Sequence, residues 1–399
     1  MLVLEYKAIT SQQQAAAIDE AIRTGQFIQN KCLRAWMDRV HSSKYDLNRY
    51  CKQLAAEFDF AAKLNSMARQ AHAERAWSAV SRFYDNCKKG MRPVGFPKFK
   101  KFSRSVEYKT SGWKVTGYKR ISFTDKNGIG ELRLLGEHPI NPDDEWLQSG
   151  LIKRVRIVRR ADGYYVQLCI KLDRREEIAP SFRAIGLDVG LESFYTDSDG
   201  NKEPNPQFLR RAEQRIKKLQ RQLSKKQKGS SNRAKARKRL AKAHLKISRQ
   251  RKEHAKRVAR CVVTSNDVVA YEDLRIKNMV KNHCLAKSIS DAAWYEFRRW
   301  IEYYGEVYGK STIAVPPQFT SQECSSCGAI VKKSLSTRTH VCRCGCRLDR
   351  DHNAAINILA SALSTVGHTG TSILEMVNAA GVQTAFHSDL RVCLGKSER

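Results

Sequence analysis

Three acids stand where acids are costly. Asp188 sits inside the apolar run AIGLDVG, Glu272 closes the apolar run NDVVAYEDL, and Asp351 opens the helix-like run DHNAAINI. A carboxylate in a core strand, or ending one, is unfavourable unless something compensates its charge. A divalent cation does so. Mg2+ prefers oxygen ligands, keeps several waters, and takes a few carboxylates together with substrate phosphate oxygens. Two such ions about 4 Å apart stabilise the attacking and leaving oxygens in phosphodiester hydrolysis. Taken singly, Asp188 also reads as a turn or cap acid, and Asp351 as a helix N-cap. The order strand-Asp, strand-Glu, helix-Asp favours one metal centre. Asp188, Glu272 and Asp351 are therefore the candidate catalytic residues and the candidate ligands of two Mg2+ or Mn2+ ions.

The cysteines suggest a second metal. Of twelve, seven are scattered singly (Cys32, Cys51, Cys87, Cys169, Cys261, Cys284 and Cys393) and five cluster between Cys324 and Cys346. Scattered thiols fit a reducing compartment, and the cluster fits a metal site better than a disulfide framework. Cys324-Ser-Ser-Cys327-Gly328 places two thiolates two residues apart, with glycine permitting a tight turn. The second pair is less regular: Cys342-Arg343-Cys344, with Cys346 just beyond. Four thiolates make a closed tetrahedral zinc site, structural rather than catalytic. The expected ligands are Cys324, Cys327, Cys342 and Cys344, with Cys346 an alternative to Cys344 and His340 a weaker substitute. Reduced cysteines without metal are the plainer alternative. Zinc folds a ribbon that has no core of its own, and this ribbon runs straight into the segment carrying Asp351.

The elements that must hold these residues follow from the pattern. MLVLEYKA alternates as a strand. Ser11 then caps a helix reaching Cys32 to Met37, with further helices over 46–58 and 61–87. Gly90, Pro93, Gly95 and Pro97 end this helical part, and 105–172 reads as strands, with Ala161-Asp162-Gly163 as a hairpin turn. This stretch suggests a β-barrel-like module in which Lys98, Lys100, Lys101, Arg104, Tyr108, Trp113 and Tyr118 meet phosphates and bases. Residues 207–260 hold 22 Lys/Arg against two Glu, yet keep an apolar stripe through Leu209, Ile216, Leu223, Leu240 and Ile247. That is a helical hairpin with one core face and a cationic outer face. A helix over 288–308, a short strand STIAVPPQ and a helix over 351–363 complete the pattern.

The charge bounds the partners. With 73 Lys+Arg and 40 Asp+Glu the formal net charge is +33. Such an excess of one sign costs self-repulsion and points to a polyanion, nucleic acid before a membrane surface. No run of about 18 apolar residues exists, and MLVLEYKAITSQQQ lacks the basic start and apolar core of a secretion signal. The expected location is cytoplasmic, at the nucleoid of a prokaryote, with no membrane partner.

Together, RPVGFPKFKK, GLDVG, YEDL, SISDAAW and C-S-S-C-G … C-R-C-G … D-R-D-H-N-A-A-I-N-I, in that order along the chain, resemble the TnpB family, insertion-sequence RNA-guided nucleases related to type V CRISPR effectors. The resemblance spans roughly 1–365. It implies a multidomain α+β and α/β fold. A β-barrel wedge domain would comprise 1–10 and 88–180, with a helical recognition domain inserted at 11–87. A RuvC-like, RNase H-type nuclease domain would comprise 181–320 and 347–368, with the basic hairpin at 207–260, a zinc-binding insert at 321–346 and a flexible tail at 369–399. It implies catalytic metal ligation by Asp188, Glu272 and Asp351. It also implies a guide RNA from the transposon end, a flanking DNA motif, double-stranded target DNA and one chain per guide RNA. Lys98, Lys100, Lys101, Arg104, Arg210, Arg211, Lys218, Arg237, Arg249 and Arg350 are the candidate nucleic-acid contacts. The family's second cysteine pair is C-x-x-C, whereas this chain has C-x-C-G-C, which leaves the fourth zinc ligand open. A non-cleaving guided repressor, a strand-joining transposase and an RNA-binding structural protein are the alternatives; the intact acid triad argues against the first, and the last explains the charge but leaves the acids idle.

Overall fold

The structure, a computed structural model, describes residues 2–138, 140–144, 147, 150–334 and 337–367. The expected tail at 369–399, and Cys393 with it, lies outside the described residues. The chain forms two compact units, one up to Asp173 and one from Arg174.

Among the described residues, the first unit joins four helices to an antiparallel sheet. Its strands are β1 (Leu2–Ile9), β2 (Ser105–Tyr108), β3 (Trp113–Gly117), β4 (Arg120–Phe123), β5 (Gly130–Leu135), β6 (Ile152–Arg160) and β7 (Gly163–Ile170). Hydrogen-bonded neighbours run β2-β6-β7-β1-β5-β4-β3, so β2 and β3 are the ends of the ladder. The inserted helices are α1 (Gln12–Met37), α2 (Lys44–Glu57), α3 (Asp59–Lys63) and α4 (Ser66–Lys88). Ser11 and Gln14 cap α1 reciprocally: the Gln14 amide donates to Ser11 Oγ at 3.1 Å and the Ser11 amide to Gln14 Oε1 at 3.0 Å. The helix expected over 61–87 is interrupted, because Asn65 leaves the helical conformation and its side chain accepts from the Met67 amide at 2.8 Å, starting α4 afresh. One core joins Ile18, Ile28, Leu47 and Leu64 of the helical segment to Val106, Ile121, Leu132 and Val166 of the strands.

Burial corrects one expected contact. Tyr108 is fully buried and donates to Asp125 Oδ2 at 2.6 Å, so it is a core residue and meets no base. Trp113 is half-buried with its Nε1–H on the Lys109 carbonyl at 2.9 Å, and Tyr118 is exposed. Tyr108 shares the inward parity of Val106 on β2, which the basic segment at 98–104 did not announce.

The second unit is a mixed sheet with helices on both faces. Strands β8 (Ala184–Val189), β9 (Ser193–Asp197) and β10 (Lys202–Pro204) form an antiparallel meander, and β11 (Val268–Glu272) and β12 (Ser311–Val315) continue it parallel to β8. The order is β10-β9-β8-β11-β12. A parallel neighbour needs a long crossover. Part of it is the basic hairpin, α5 (Phe208–Ser224) and α6 (Ser231–Ser265), broken at Gly229 with φ +86°. Helix α6 is buried mainly near its C-terminal end, through Ala255, Val258, Ala259, Val262 and Val263. After β11 come α7 (Ile276–Met279), α8 (Ala286–Ala292) and α9 (Trp294–Tyr308). The single helix expected over 288–308 is thus two, parted at Ala293 with φ +60°. The break frees Asp291, at the end of α8, to accept from the Leu209 and Arg210 amides that open α5 and from Arg251 of α6 at 2.9 Å. A buried carboxylate thereby ties three helices together. A two-stranded ribbon, β13 (Thr339–Val341) and β14 (Arg347–Asp349), leads into α10 (Arg350–Gly367).

His72 of α4 makes the first unit acid-sensitive. It is fully buried, and burial, aided by the charge of Arg75, lowers its pKa to about 3. The unfolded chain titrates near 6.5 and so binds more protons between those values. Stability contributed by neutral His72 is therefore complete above about 6.5 and is lost as pH falls towards 3. From pH 6.5 to 5 the loss should be about 2 kcal/mol. Thermal melting of the full chain, followed on the transition of the first unit, should show this decline, and His72→Leu should flatten it.

Candidate active site and thiolate cluster

Period-two alternation decides where the acids point. On β8, Ile185 and Leu187 enter the core formed with α6 and α9; on β11, Val269 and Tyr271 do the same. Gly186 and Ala270, one residue out of phase, lie on the opposite face under α10. Asp188 and Glu272 share that parity. The parallel register pairs Ala270 with Gly186 and Tyr271 with Leu187, and one further step places Glu272 beside Asp188. Both acids therefore end adjacent strands on the face that α10 covers.

Helix α10 brings the third acid. It lies so close to β8 that a Cβ on Gly186 would fall 2.2 Å from the Ala355 carbonyl oxygen and 2.9 Å from Leu359. Its N-terminus is capped by Asp349, whose Oδ1 accepts from the Asp351 amide at 3.0 Å and the His352 amide at 3.3 Å. Asp349 also pairs with Lys202 at 2.9 Å. The N-cap role open to Asp351 in the sequence belongs to Asp349, and Asp351, one turn-start later, faces β8: a Cβ on Gly190 would lie 3.9 Å from its Oδ2.

The electrostatics record the crowding. Burial, then the negative charges of Glu272 and Asp351, push the Asp188 carboxyl well above the usual range, with Arg350 opposing. Burial also raises Glu272, against a hydrogen bond from Thr320 Oγ1 to Glu272 Oε1 at 2.5 Å. An all-oxygen, mutually repelling donor set of this kind suits a hard divalent cation.

The thiols form a tighter group. The Sγ atoms of Cys324, Cys327, Cys342 and Cys344 lie within 4.8 Å of one another. Cys324 is 3.7 Å from Cys344, and Cys327 is 3.6 Å from Cys342. A tetrahedron with Zn–S bonds of about 2.3 Å has edges of about 3.8 Å, so the spacing fits zinc, and it is far longer than the roughly 2.05 Å of a disulfide. Gly328, at φ +73°, closes the first knuckle, its amide donating to the Cys324 carbonyl at 2.8 Å. Burial opposes ionisation of Cys324, but the amides of Ser326 and Cys327 prevail and lower its pKa to about 5.

Two asparagines join this cluster to the acids. Asn353 of α10, fully buried, accepts from the Ser325 amide at 3.0 Å and donates to the Glu323 carbonyl at 2.7 Å. Asn357, one turn on, donates to the carbonyls of Thr320 and Glu323, each at 2.8 Å. The segment holding Cys324 is thus clamped to the helix bearing Asp351, and its Thr320 reaches Glu272. The sequence marks Asp349 only as one of an acidic pair beside the cysteines, and gives Thr320, Asn353 and Asn357 no role. The asparagines' signal is their spacing, four apart on an apolar helix.

The candidate nucleic-acid contacts fall into separate groups. Lys98, Lys100, Lys101 and Arg104 are exposed on a segment held to α1, where Gln26 and Asn30 bond the backbone of Lys100, Lys101 and Ser103. Arg210, Arg211 and Lys218 are exposed on α5, and Arg237 and Arg249 on α6. Arg350 is half-buried at the start of α10, its amide on the Arg338 carbonyl at 2.7 Å.

Comparison with known proteins places the chain. The OrfB_IS605 family model, described as a probable transposase, matches residues 167–283, and the Cas12f1-like TNB domain model matches residues 294–358. A "Putative RNA-guided DNA endonuclease" of Streptomyces pristinaespiralis is 32% identical over 376 residues, covering 90% of this chain and 89% of that protein. The similarly described InsQ of Escherichia coli K12 is 28% identical over 304 residues, 72% of each chain. The chain belongs to the TnpB family of OrfB_IS605 proteins. Among solved structures, the Cas12f1 chain of a complex with sgRNA and target DNA shares the fold, with a TM-score of 0.54 at 15% identity over 88% of this chain and 83% of that one.

The clamp should matter to the site more than to the rest of the molecule. Asn353→Ala leaves the Ser325 amide without its partner and takes from the Glu323 carbonyl one of its two asparagine donors, and should cost about 1–3 kcal/mol. Hydrogen exchange of the full chain should show faster opening of 320–330 and of the first turns of α10, with the strands of the first unit unchanged.

Proposed function

We propose that this chain is an RNA-guided DNA endonuclease of an insertion element, with Asp188, Glu272 and Asp351 as its catalytic metal ligands. The observation that carries this reading is the convergence of the three acids at one end of a sheet in a chain of formal charge +33. The finer features are part of the same proposal: a guide RNA from the transposon end, a flanking DNA motif, double-stranded target and one chain per guide. In this division of labour, base pairing reads the target while protein reads backbone and flank. The second unit is then the RuvC-like nuclease domain, and the sheet of the first is the wedge.

The residues present fit two divalent cations, Mg2+ or Mn2+, and one structural Zn2+. Bound at the acids, the cations would activate the attacking water and steady the leaving 3′ oxygen. The chain's own part is positional. Asp188 and Glu272 hold their carboxylates on adjacent strand ends, and Thr320 fixes one oxygen of Glu272. Asp349 caps α10, so Asp351 is spared that role. The cations of α5, α6 and the 98–104 segment neutralise phosphates, releasing counterions. Asn353 and Asn357 hold the 320–325 segment, and Cys324 of the thiol cluster with it, against α10. Joining of strands, the reaction implied by the family model's description, uses similar acids and is separated by its products.

Cleavage decides. Purified full chain with its copurifying RNA, Mg2+ and double-stranded DNA bearing the guide match beside randomised flanks should cut only with the RNA and the match. Asp188→Asn should lower the rate about 10²-fold or more while RNA still copurifies. RNA-dependent binding without cutting, equal in both proteins, would leave a guided repressor, and joined strands would indicate a transposase.

A further inference from the structure

The thiolate cluster has more donors than one zinc ion needs. Beside the four thiols, Cys324 Sγ, a ring nitrogen of His340 and Cys346 Sγ lie within 4.8 Å of one another. Cys324 belongs to both sets. The turn between β13 and β14 explains the overlap. The Cys342 amide donates to the Cys346 carbonyl at 2.9 Å, and the Gly345 amide, at φ +91°, to the Cys342 carbonyl at 3.0 Å. This closes a small loop with Cys344 exposed at its tip and Cys346 half-buried at its base. His340, on β13, is fully buried, and its Nε2 has no hydrogen-bond partner among the described residues.

We propose that Cys346, backed by His340, is a reserve zinc ligand: when Cys344 leaves the metal, Cys346 takes its place and Cys324 stays bound throughout. The inference rests on reading the four thiols as a zinc site. The exchange is a ligand substitution without redox change. The Cys346 thiol gives up its proton to water as its sulfur binds, and the departing Cys344 sulfur takes one up.

The neighbours rank the donors. Thiolate is the softer ligand, and four thiolates satisfy a closed structural zinc site, so the Cys344 arrangement comes first and Cys346 substitutes for it in kind. His340 comes last. Its Nδ1 contacts Lys333 Nζ, which also donates to the Ser321 carbonyl at 2.9 Å. Ligation through Nε2 needs the proton on Nδ1, facing that ammonium, so Lys333 must first turn away. The irregular C-x-C-G-C spacing, which departs from C-x-x-C, thus supplies a further thiol within 4.8 Å of Cys324, the ligand common to both groups. The exposed tip is where a ligand is lost most easily, and the half-buried base is where the reserve stands.

Zinc retention tests this in the full chain. Wild type, Cys344→Ser, Cys346→Ser and the double variant are purified with zinc, and transfer to a chromophoric chelator is timed. The same proteins loaded with Co2+ report thiolate number through the sulfur-to-cobalt charge-transfer band. Cys344→Ser should keep its zinc and a band of wild-type intensity, and Cys346→Ser alone should behave as wild type. The double variant should show a weaker band and release zinc about tenfold faster or more. Release from Cys344→Ser as fast as from the double variant would overturn the reserve role. Release from Cys346→Ser as fast as from the double variant would also overturn it, making Cys346 a primary ligand. If wild type itself holds no zinc, the zinc reading falls, and this inference with it.

Discussion

Helix α10 reaches the sheet because Gly186 has no side chain. The Ala355 carbonyl occupies the space a Cβ would need, and Leu359 closes in from the next turn. That approach fixes both the height and the rotation of the helix, and Asp351 sits on its first turn. Gly186 lies two residues before Asp188 on the same face of β8, so one strand supplies both the contact that seats the helix and the acid the helix must meet. The ribbon, the asparagine clamp and the Asp349 cap all act on a helix already placed by this contact.

Holding three acids together works against folding. Burial and like charge raise the Asp188 carboxyl, and burial raises that of Glu272. The structure answers it by rigidity. Two acids are set by strand register, which cannot slip by one residue without turning the whole apolar face outward. The third is set by a capped helix tied at Asn353 and Asn357 to a segment that four thiols can cross-link through zinc. The same segment reaches Glu272 through Thr320. The cysteine cluster abuts the acidic pair Asp349 and Asp351 for this reason: one acid caps the helix, the other approaches the sheet, and the ribbon holds the helix start in place.

Much of this was legible in the sequence. Alternation and apolar runs located β8 and β11 with their acids, the C-x-x-C-G knuckle announced the thiol cluster, and the stripe beneath the cations of 207–260 gave the hairpin. Local signals of this kind survive folding because they are the cause of the elements. The rest depends on partners distant in the chain. Asp349 and Asp351 are equally good caps by type, and only the turn out of β14 chooses between them. Asn353 and Asn357 look like surface polar residues until a loop some thirty residues earlier lies against them. Tyr108 follows a basic segment at 98–104 that suggested base contact, yet its hydroxyl finds Asp125 in the core. Ala293 breaks a helix that its sequence would continue, and the break leaves Asp291 against the start of α5.

The site depends on the seating of α10 over Gly186. The most direct measurement is guided DNA cleavage by Gly186→Ala, taken together with guide RNA copurification and the melting of the first unit in the same preparation. The added methyl must displace α10, so cleavage should fall while RNA binding and the first unit's melting persist. Cleavage at the wild-type rate in a variant that carries alanine at 186 would contradict it.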